Sequence, residues 1–254
     1  ATTTERTLGS CADAVNNADA RDLRVGLPKE FFTDELDPKI EALIREKAGA
    51  LERLGARIEE VSIPLASFSL PVYYIIMPAE VSANLARFDG IRYGFSDRSG
   101  GALESVYVNS RTNGRGDEVR RRIIIGTYTL SSGYYDAFYG RAEKVRRLIE
   151  DQFREALSKV DVIITPTSPS TAFKIGEKTE DPVTMYLSDI FTVSANVAGI
   201  PALSLPAGLV DGLPVGLQIM GRQFDDARVL SVGALLEEAI GFVADISRYF
   251  HPGD

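Results

Sequence analysis

Two charged residues stand where their surroundings make charge costly. Asp189 lies in the stretch Asp181 to Gly221, which past its first residue carries one other formal charge, Asp211, in a chain that is 25% charged. So neutral a run is expected to be buried. If a helix runs from Asp181-Pro182 to about Val197, then at about 100° per residue Asp189, Thr192 and Asn196 fall within about 60° of one another. Tyr186, Ile190, Val193 and Val197 then form an apolar face beside them. Burying an unpaired carboxylate costs several kcal/mol, so Asp189 needs a cationic partner or a wet pocket. Two readings are open: a structural carboxylate paired with an arginine, or a polar stripe lining a pocket in which Asp189 binds a cationic group.

The second residue is the last of three consecutive arginines, Arg120, Arg121 and Arg122, in a helical stretch from Asp117 to Ser132. Three in a row cannot share one face. With Val119 as origin, Arg120 points about 100° away and Arg121 about 200°, while Arg122 returns to within about 60°, on the side of Gly126 and Leu130. Arg122 is therefore expected to point inward, above a glycine that leaves room for a ligand or another backbone. Ile124 and Ile125 point elsewhere, so the helix is expected to be buried on more than one side. An inward guanidinium suits a carboxylate, which it binds through two parallel hydrogen bonds. The alternative is that all three arginines are solvated or paired with Glu118 and similar neighbours.

The elements that must position these groups read as follows. Asp181 is an N-cap with proline at the first helical position, and the helix stops at Gly199-Ile200-Pro201. The apolar runs Ala202 to Pro206 and Pro214 to Met220 are expected to be neighbouring strands joined by an Asp-Gly turn. Toward the N-terminus, residues 1–22 are small and polar and read as an irregular lead-in. Leu23 to Leu27 is a strand. Asp37-Pro38 opens a helix with apolar positions Ile40, Leu43, Ile44, Leu51 and Leu54, closed at Gly55, and Arg57 to Ile63 is a second strand. Strand, helix, strand with short connections is a βαβ unit and points to an α/β fold with parallel strands.

Pro64 to Pro78 leads into a helix to about Phe88, where Tyr73 and Tyr74 in apolar company read as core residues with satisfied hydroxyls. Asp89-Gly90, Gly94 and Ser99-Gly100-Gly101 punctuate loops. Arg115-Gly116-Asp117 spells an integrin-recognition tripeptide, read here as chance. Asp136 to Lys159 is an amphipathic helix whose apolar positions include Phe138, Val145, Leu148, Ile149, Phe153 and Leu157. Val160 to Thr165 is a strand, and Asp225-Asp226 caps a last helix to about Ala239.

Composition narrows the function. The chain has 254 residues, is 44% hydrophobic and carries a net charge of −8, which argues against broad contact with a nucleic-acid backbone. Cys11 is the single cysteine and His251 the single histidine. That leaves no disulfide, no metal cluster and no Ser-His-Asp or Cys-His pair. No apolar run is expected to reach membrane-spanning length.

The runs GIPALSLPAG (199–208) and LPVGLQIMG (213–221) resemble the C-terminal core of the amidase signature family. More narrowly, RFDGIRYG (87–94), EVRRRIIIGTYTLSSGYY (118–135), Ile164 to Ser170 and Thr184 to Pro201 resemble its GatA branch, the amidotransferase glutaminases. The resemblance covers the chain from about Leu23 to the last helix. It implies an α/β fold with a mixed β-sheet flanked by helices, incomplete at its N-terminal side, in which residues 23–254 are the C-terminal part of one domain.

The resemblance also implies a function. Members of this branch are the cytoplasmic glutaminases of a heterotrimer that converts Glu-tRNA(Gln) to Gln-tRNA(Gln). They release ammonia from glutamine to a GatB-type partner, which uses ATP and Mg2+, and a GatC-type protein completes the assembly; no cofactor is implied in this chain. Glutamine is held in the family by a tyrosine, an arginine and an aspartate, which map onto Tyr73, Arg122 and Asp189. The family's hydrolytic serine, its second serine with a cis peptide bond, and its lysine base belong to a Gly- and Ser-rich tract expected before the Leu23 strand. No such tract is present, and no lysine precedes Lys29. The chain is therefore expected to hold no catalytic residue and to be inactive alone. Two other readings are a truncated binding or scaffold protein and part of another small-amide amidase.

Overall fold

A computed structural model describes residues 9–178 and 182–241. Asp181, the expected helix cap, the histidine His251 and the first eight residues of the lead-in lie outside the described residues. In chain order the elements are α1 (Cys11–Asn16), β1 (Arg24–Pro28), α2 (Pro38–Arg53), β2 (Arg57–Val61), α3 (Ser69–Leu85), α4 (Leu103–Gly114), α5 (Asp117–Thr129) and α6 (Gly140–Lys159). They continue with β3 (Val162–Pro166), α7 (Pro182–Tyr186), α8 (Val193–Ala198), β4 (Ala202–Val210), β5 (Leu213–Met220) and α9 (Asp226–Ile240). The chain divides into two compact units: one comprises the segments up to Leu70 and from Leu148 onward, the other Pro71–Arg147.

The first unit is built on a five-stranded mixed sheet of order β2-β1-β3-β5-β4. The βαβ reading holds. β1 and β2 pair in parallel from Arg24↔Arg57 to Pro28↔Val61. Between them α2 opens with the Asp37 carboxylate accepting from the Lys39 N–H at 2.8 Å, with Pro38 at its first position. Gly55, at φ +104°, makes the left-handed turn that returns the chain to β2. β1 also pairs in parallel with β3, whose five residues are all buried. β5 runs antiparallel to β3 and to β4. The β4–β5 hairpin turns on Asp211 and Gly212, both with positive φ (51° and 82°), the backbone of a two-residue turn that matches strand twist. These strands are longer than the two short runs the sequence suggests, and β4 lies outermost.

Helices α2 and α9 pack together on the sheet and bury Ile40, Ile44, Leu51, Val229, Val232 and Leu236. Ile149, Phe153 and Leu157 of α6 are fully buried, whereas Leu148 is 53% exposed and Phe138 stands outside the helix in a half-exposed π-helical turn, Tyr135–Tyr139. Residues 9–22 are not wholly irregular: Ser10 caps α1, which packs on α9.

In the second unit, α3 and α5 meet where Gly126 lies against the backbone of Pro78; a Cβ at Gly126 would stand 1.8 Å from the Pro78 carbonyl oxygen. The Arg115 guanidinium donates to the carbonyls of Leu85 (2.7 Å) and Phe88 (3.0 Å), satisfying the open end of α3. That is the structural use of the Arg-Gly-Asp tripeptide's arginine. Helix α4 occupies a stretch in which the sequence pattern points to no element. Helix α5 departs from the sequence reading: Ile124 is 69% exposed, so the helix buries one side and not several. The helical stretch Pro64–Leu85 is long and apolar enough, by length and composition only, to cross a membrane, which the reading of the sequence had not expected. It carries Glu80 on its exposed surface and Pro78 in its interior.

Candidate functional site

The carboxyl ends of the parallel strands β1 and β3 lie at one end of the first sheet, the end at which open α/β sheets bind ligands. From Pro28 the chain turns into a single 3-10 turn, Lys29–Phe31, whose buried Phe31 ring lies 5.6 Å, centroid to centroid, from Phe191. From Pro166 it enters the loop Thr167 to Ser170. That loop is tied down by the Thr167 N–H to the Gly216 carbonyl (3.0 Å), by Thr167 Oγ1 with Ser204 Oγ (2.8 Å), and by the Asp37 N–H to the Pro169 carbonyl (3.1 Å). Ser168 Oγ reaches the Ser188 carbonyl at 3.5 Å, and Lys178 Nζ donates to Ser188 Oγ at 2.9 Å. Asp189 is the residue next along.

Asp189 does not lie in a continuous helix. α7 gives way to a 3-10 turn, Leu187–Asp189, and to a turn in which Ile190 and Thr192 keep right-handed helical dihedrals but the bonds run from residue i to i−3, before α8 begins at Val193. The expected helix to Val197 is broken in its middle. The polar stripe survives the break because it is wired along the backbone. Thr192 donates its N–H and its Oγ1 to the Asp189 carbonyl, both at 3.1 Å, and Asn196 Nδ2 donates to the Thr192 carbonyl at 3.3 Å. The Asp189 side chain is exposed. Among the described residues no hydrogen bond or ion pair holds its carboxylate, so the paired structural aspartate is not what is found there. A cavity of about 400 Å³ beside this segment is lined by Ile190, Phe191, Phe31 and Ala66 and by the acidic Glu30, Asp34 and Glu35. Glu30 is already engaged there, accepting from Ser62 Oγ (2.6 Å) and from the Ile63 N–H (2.8 Å).

The second unit holds Tyr73 and Arg122. Of the three arginines, Arg120 and Arg121 are exposed and ion-paired to Asp117 and Glu118, while Arg122 has only 27% of its side chain exposed, as its face on the helix predicts. Its Nε donates to Glu118 Oε1 at 2.8 Å, Nη1 reaches Met77 Sδ at 3.5 Å, and Cζ lies 5.8 Å from the centre of the Tyr74 ring. Burial works to lower the Arg122 pKa, but Glu118 and the Tyr73 hydroxyl together hold it above the ordinary guanidinium value. Tyr73 and Tyr74 meet edge to face with centroids 5.2 Å apart. Neither is fully buried. The group is a fixed, permanently charged cation with aromatic walls and one carboxylate neighbour, suited to a planar anion. The residue that sequence reasoning missed is Gln218: its buried amide, which bonds to Thr165 and to the Phe191 carbonyl, gave no signal in an apolar strand.

The amidase family model matches residues 6–230. The chain is 53% identical over 218 residues to the GatA component of the glutamyl-tRNA(Gln) amidotransferase of Heliobacterium modesticaldum, covering 86% of this chain and 45% of that protein. It is 55% identical over 216 residues to the same component from a Sulfurihydrogenibium species, covering 85% of this chain and 44% of that protein. Among solved structures, the glutamyl-tRNA(Gln) amidotransferase GatA protein of Thermotoga maritima aligns with TM-score 0.71 and 41% identity over 94% of this chain and 46% of that one. A bacterial aryl acylamidase of the amidase signature family, 19% identical, shares the fold at TM-score 0.70 over 97% of this chain and 48% of that one. The chain spans about half the length of the relatives it matches. A family model that covers most of the chain and a mixed α/β sheet shared with solved relatives agree: this chain belongs to the amidase family.

Proposed function

We propose that this chain is the C-terminal half of a glutaminase subunit, and that residues 23–254 form that part of one amidase-signature domain. In this reading the intact protein releases ammonia from glutamine for the conversion of Glu-tRNA(Gln) to Gln-tRNA(Gln). The observation that carries it is identity above half with GatA proteins of glutamyl-tRNA(Gln) amidotransferase along most of the chain. Arg122 receives the α-carboxylate of glutamine, Asp189 its α-ammonium, and Tyr73 contributes its hydroxyl. The half-buried charge of Arg122 and the Asp189 carboxylate, which has no ion pair among the described residues, support those roles. The assembly is a cytoplasmic heterotrimer with GatB- and GatC-type subunits, and ATP and Mg2+ serve the GatB-type partner.

The 254 residues alone do not hydrolyse glutamine in this reading, because nucleophile, base and oxyanion-hole donors must converge for amide cleavage and no lysine precedes Lys29. The test is a glutaminase assay on this chain and on the full-length protein side by side. Ammonia from the full-length protein and none from the chain is expected; turnover by the chain above background overturns the assignment of the chemistry elsewhere.

A further inference from the structure

The break in the helix around Asp189 is held by side chains from outside it. The Phe191 carbonyl, two residues past Asp189, accepts from Gln218 Nε2 at 3.2 Å and from Ser194 Oγ at 3.1 Å. Gln218 lies on β5 opposite Thr165 of β3, and the same Nε2 donates to Thr165 Oγ1 at 2.9 Å. All of these groups are buried: Gln218 is 3% exposed, and Thr165 and Ser194 are 0%. A buried carbonyl deprived of a donor loses a hydrogen bond and keeps its desolvation cost, so the turn is stable only while these side chains reach it. The Gln218 amide thus spans from the middle of the sheet to the segment that carries Asp189. From there the restraint passes along the Thr192 hydrogen bonds to the Asp189 carbonyl.

We infer that Gln218 is a positioning residue for Asp189: its buried amide fixes the Leu187–Thr192 turn on the sheet and so fixes where the carboxylate meets a substrate ammonium group. The inference rests on the reading of Asp189 as the ammonium-binding group. Gln218 touches no substrate. A carboxylate displaced by an ångström weakens its interaction with a cation but leaves the reacting amide, at the other end of the substrate, where it was. The signature is therefore a loss confined to ground-state recognition of the α-amino group.

The experiment is steady-state kinetics on the full-length protein in its assembly, with glutamine and with glutaramate, the same amide without the α-amino group. Gln218→Met keeps the volume and removes the donor. It is expected to raise KM for glutamine about tenfold, with kcat within about twofold and with KM for glutaramate unchanged. Asp189→Asn is expected to give at least the same rise, and the double variant no more than Asp189→Asn alone. If Asp189→Asn leaves KM for glutamine unchanged, the ammonium-binding reading falls and the inference with it. If Asp189→Asn raises KM and Gln218→Met does not, only the positioning role is overturned; an equal rise for both substrates overturns it as well. Where Gln218→Met does not yield folded protein, Ser194→Ala, which removes the other donor, decides. A selective rise of about threefold for glutamine supports the inference, and no change overturns it.

Discussion

Asp161, the residue before β3, binds Arg24 of β1 twice over: its carboxylate takes the Arg24 guanidinium at 2.9 and 3.2 Å and the Arg24 backbone N–H at 3.0 Å. Arg222 adds a third guanidinium contact at 3.2 Å and also donates to the carbonyls of Leu157 and Val160, at the end of α6. One carboxylate thus ties the first strand, the third strand and the segment after β5.

That carboxylate makes the fold acid-sensitive. Burial works to raise the Asp161 pKa, but Arg24 and then Arg222 outweigh it and lower it from 3.8 to about 2. A carboxyl group depressed in the folded state stabilises the fold above its unfolded pKa, and that stabilisation is lost as pH falls through the folded value. Asp161→Asn should therefore lower stability at pH 7 by on the order of 1 kcal/mol, after discounting for solvent screening. The gap to the native protein should close between about pH 4 and pH 2. Urea unfolding of both proteins across that range checks it, and a gap independent of pH rules out the ion pairs as its source.

Gly126 is required by a backbone and not by a ligand. With the Pro78 carbonyl oxygen 1.8 Å from any added Cβ, Gly126→Ala must push α3 and α5 apart. Thermal unfolding should show a loss of about 2–3 kcal/mol, the range for overpacked contacts. A melting temperature within a degree of the native one would mean the two helices separate at little cost.

Arg122 separates charge from shape. Arg122→Ala in the full-length protein should raise KM for glutamine about 100-fold, and Arg122→Lys, which keeps the charge but loses the planar fork, by about tenfold. Glutamine titrations of the three proteins test this. An unchanged KM in Arg122→Ala removes the residue from the pocket and leaves its pairing with Glu118 as its purpose.

At the hairpin, Gly212 sits at φ +82° and follows Asp211 at φ +51°. Gly212→Val should cost at least about 1 kcal/mol, because a β-branched residue tolerates that region poorly. Chemical denaturation measures it. A neutral result would show that the turn can change type without disturbing the β4–β5 register.

Much of this architecture is written locally. Asp37-Pro38 and Gly55 bracket α2 by capping and by a left-handed turn, so the βαβ unit could be read without tertiary information. Arg122 was legible because helical geometry alone separates it from Arg120 and Arg121. The middle of the Asp181–Val197 helix was misread for the opposite reason. Its residues have helical spacing, but Gln218, 27 positions away in sequence, takes up the Phe191 carbonyl and makes a break tolerable. Helix α4 was hidden between Gly100-Gly101 and Gly116, where turn residues dominate the pattern. The Phe138 turn was misread because its aromatic residues match helical spacing while their rings pack on each other, Tyr134 stacked on Phe138 and Tyr135 tilted against Tyr139.

The position of β4 at the rim of the sheet has a consequence for handling the protein. Among the described residues one flank of this nine-residue strand has no neighbour, so its amide and carbonyl groups there form a template on which a second chain can add. Pro206 takes one donor out of that row, and the bulge between Pro206 and Gly208 bends what remains, dividing it into two short stretches. Self-association at high concentration should accordingly be reversible and brief in register, closer to sticky dimers than to fibrils.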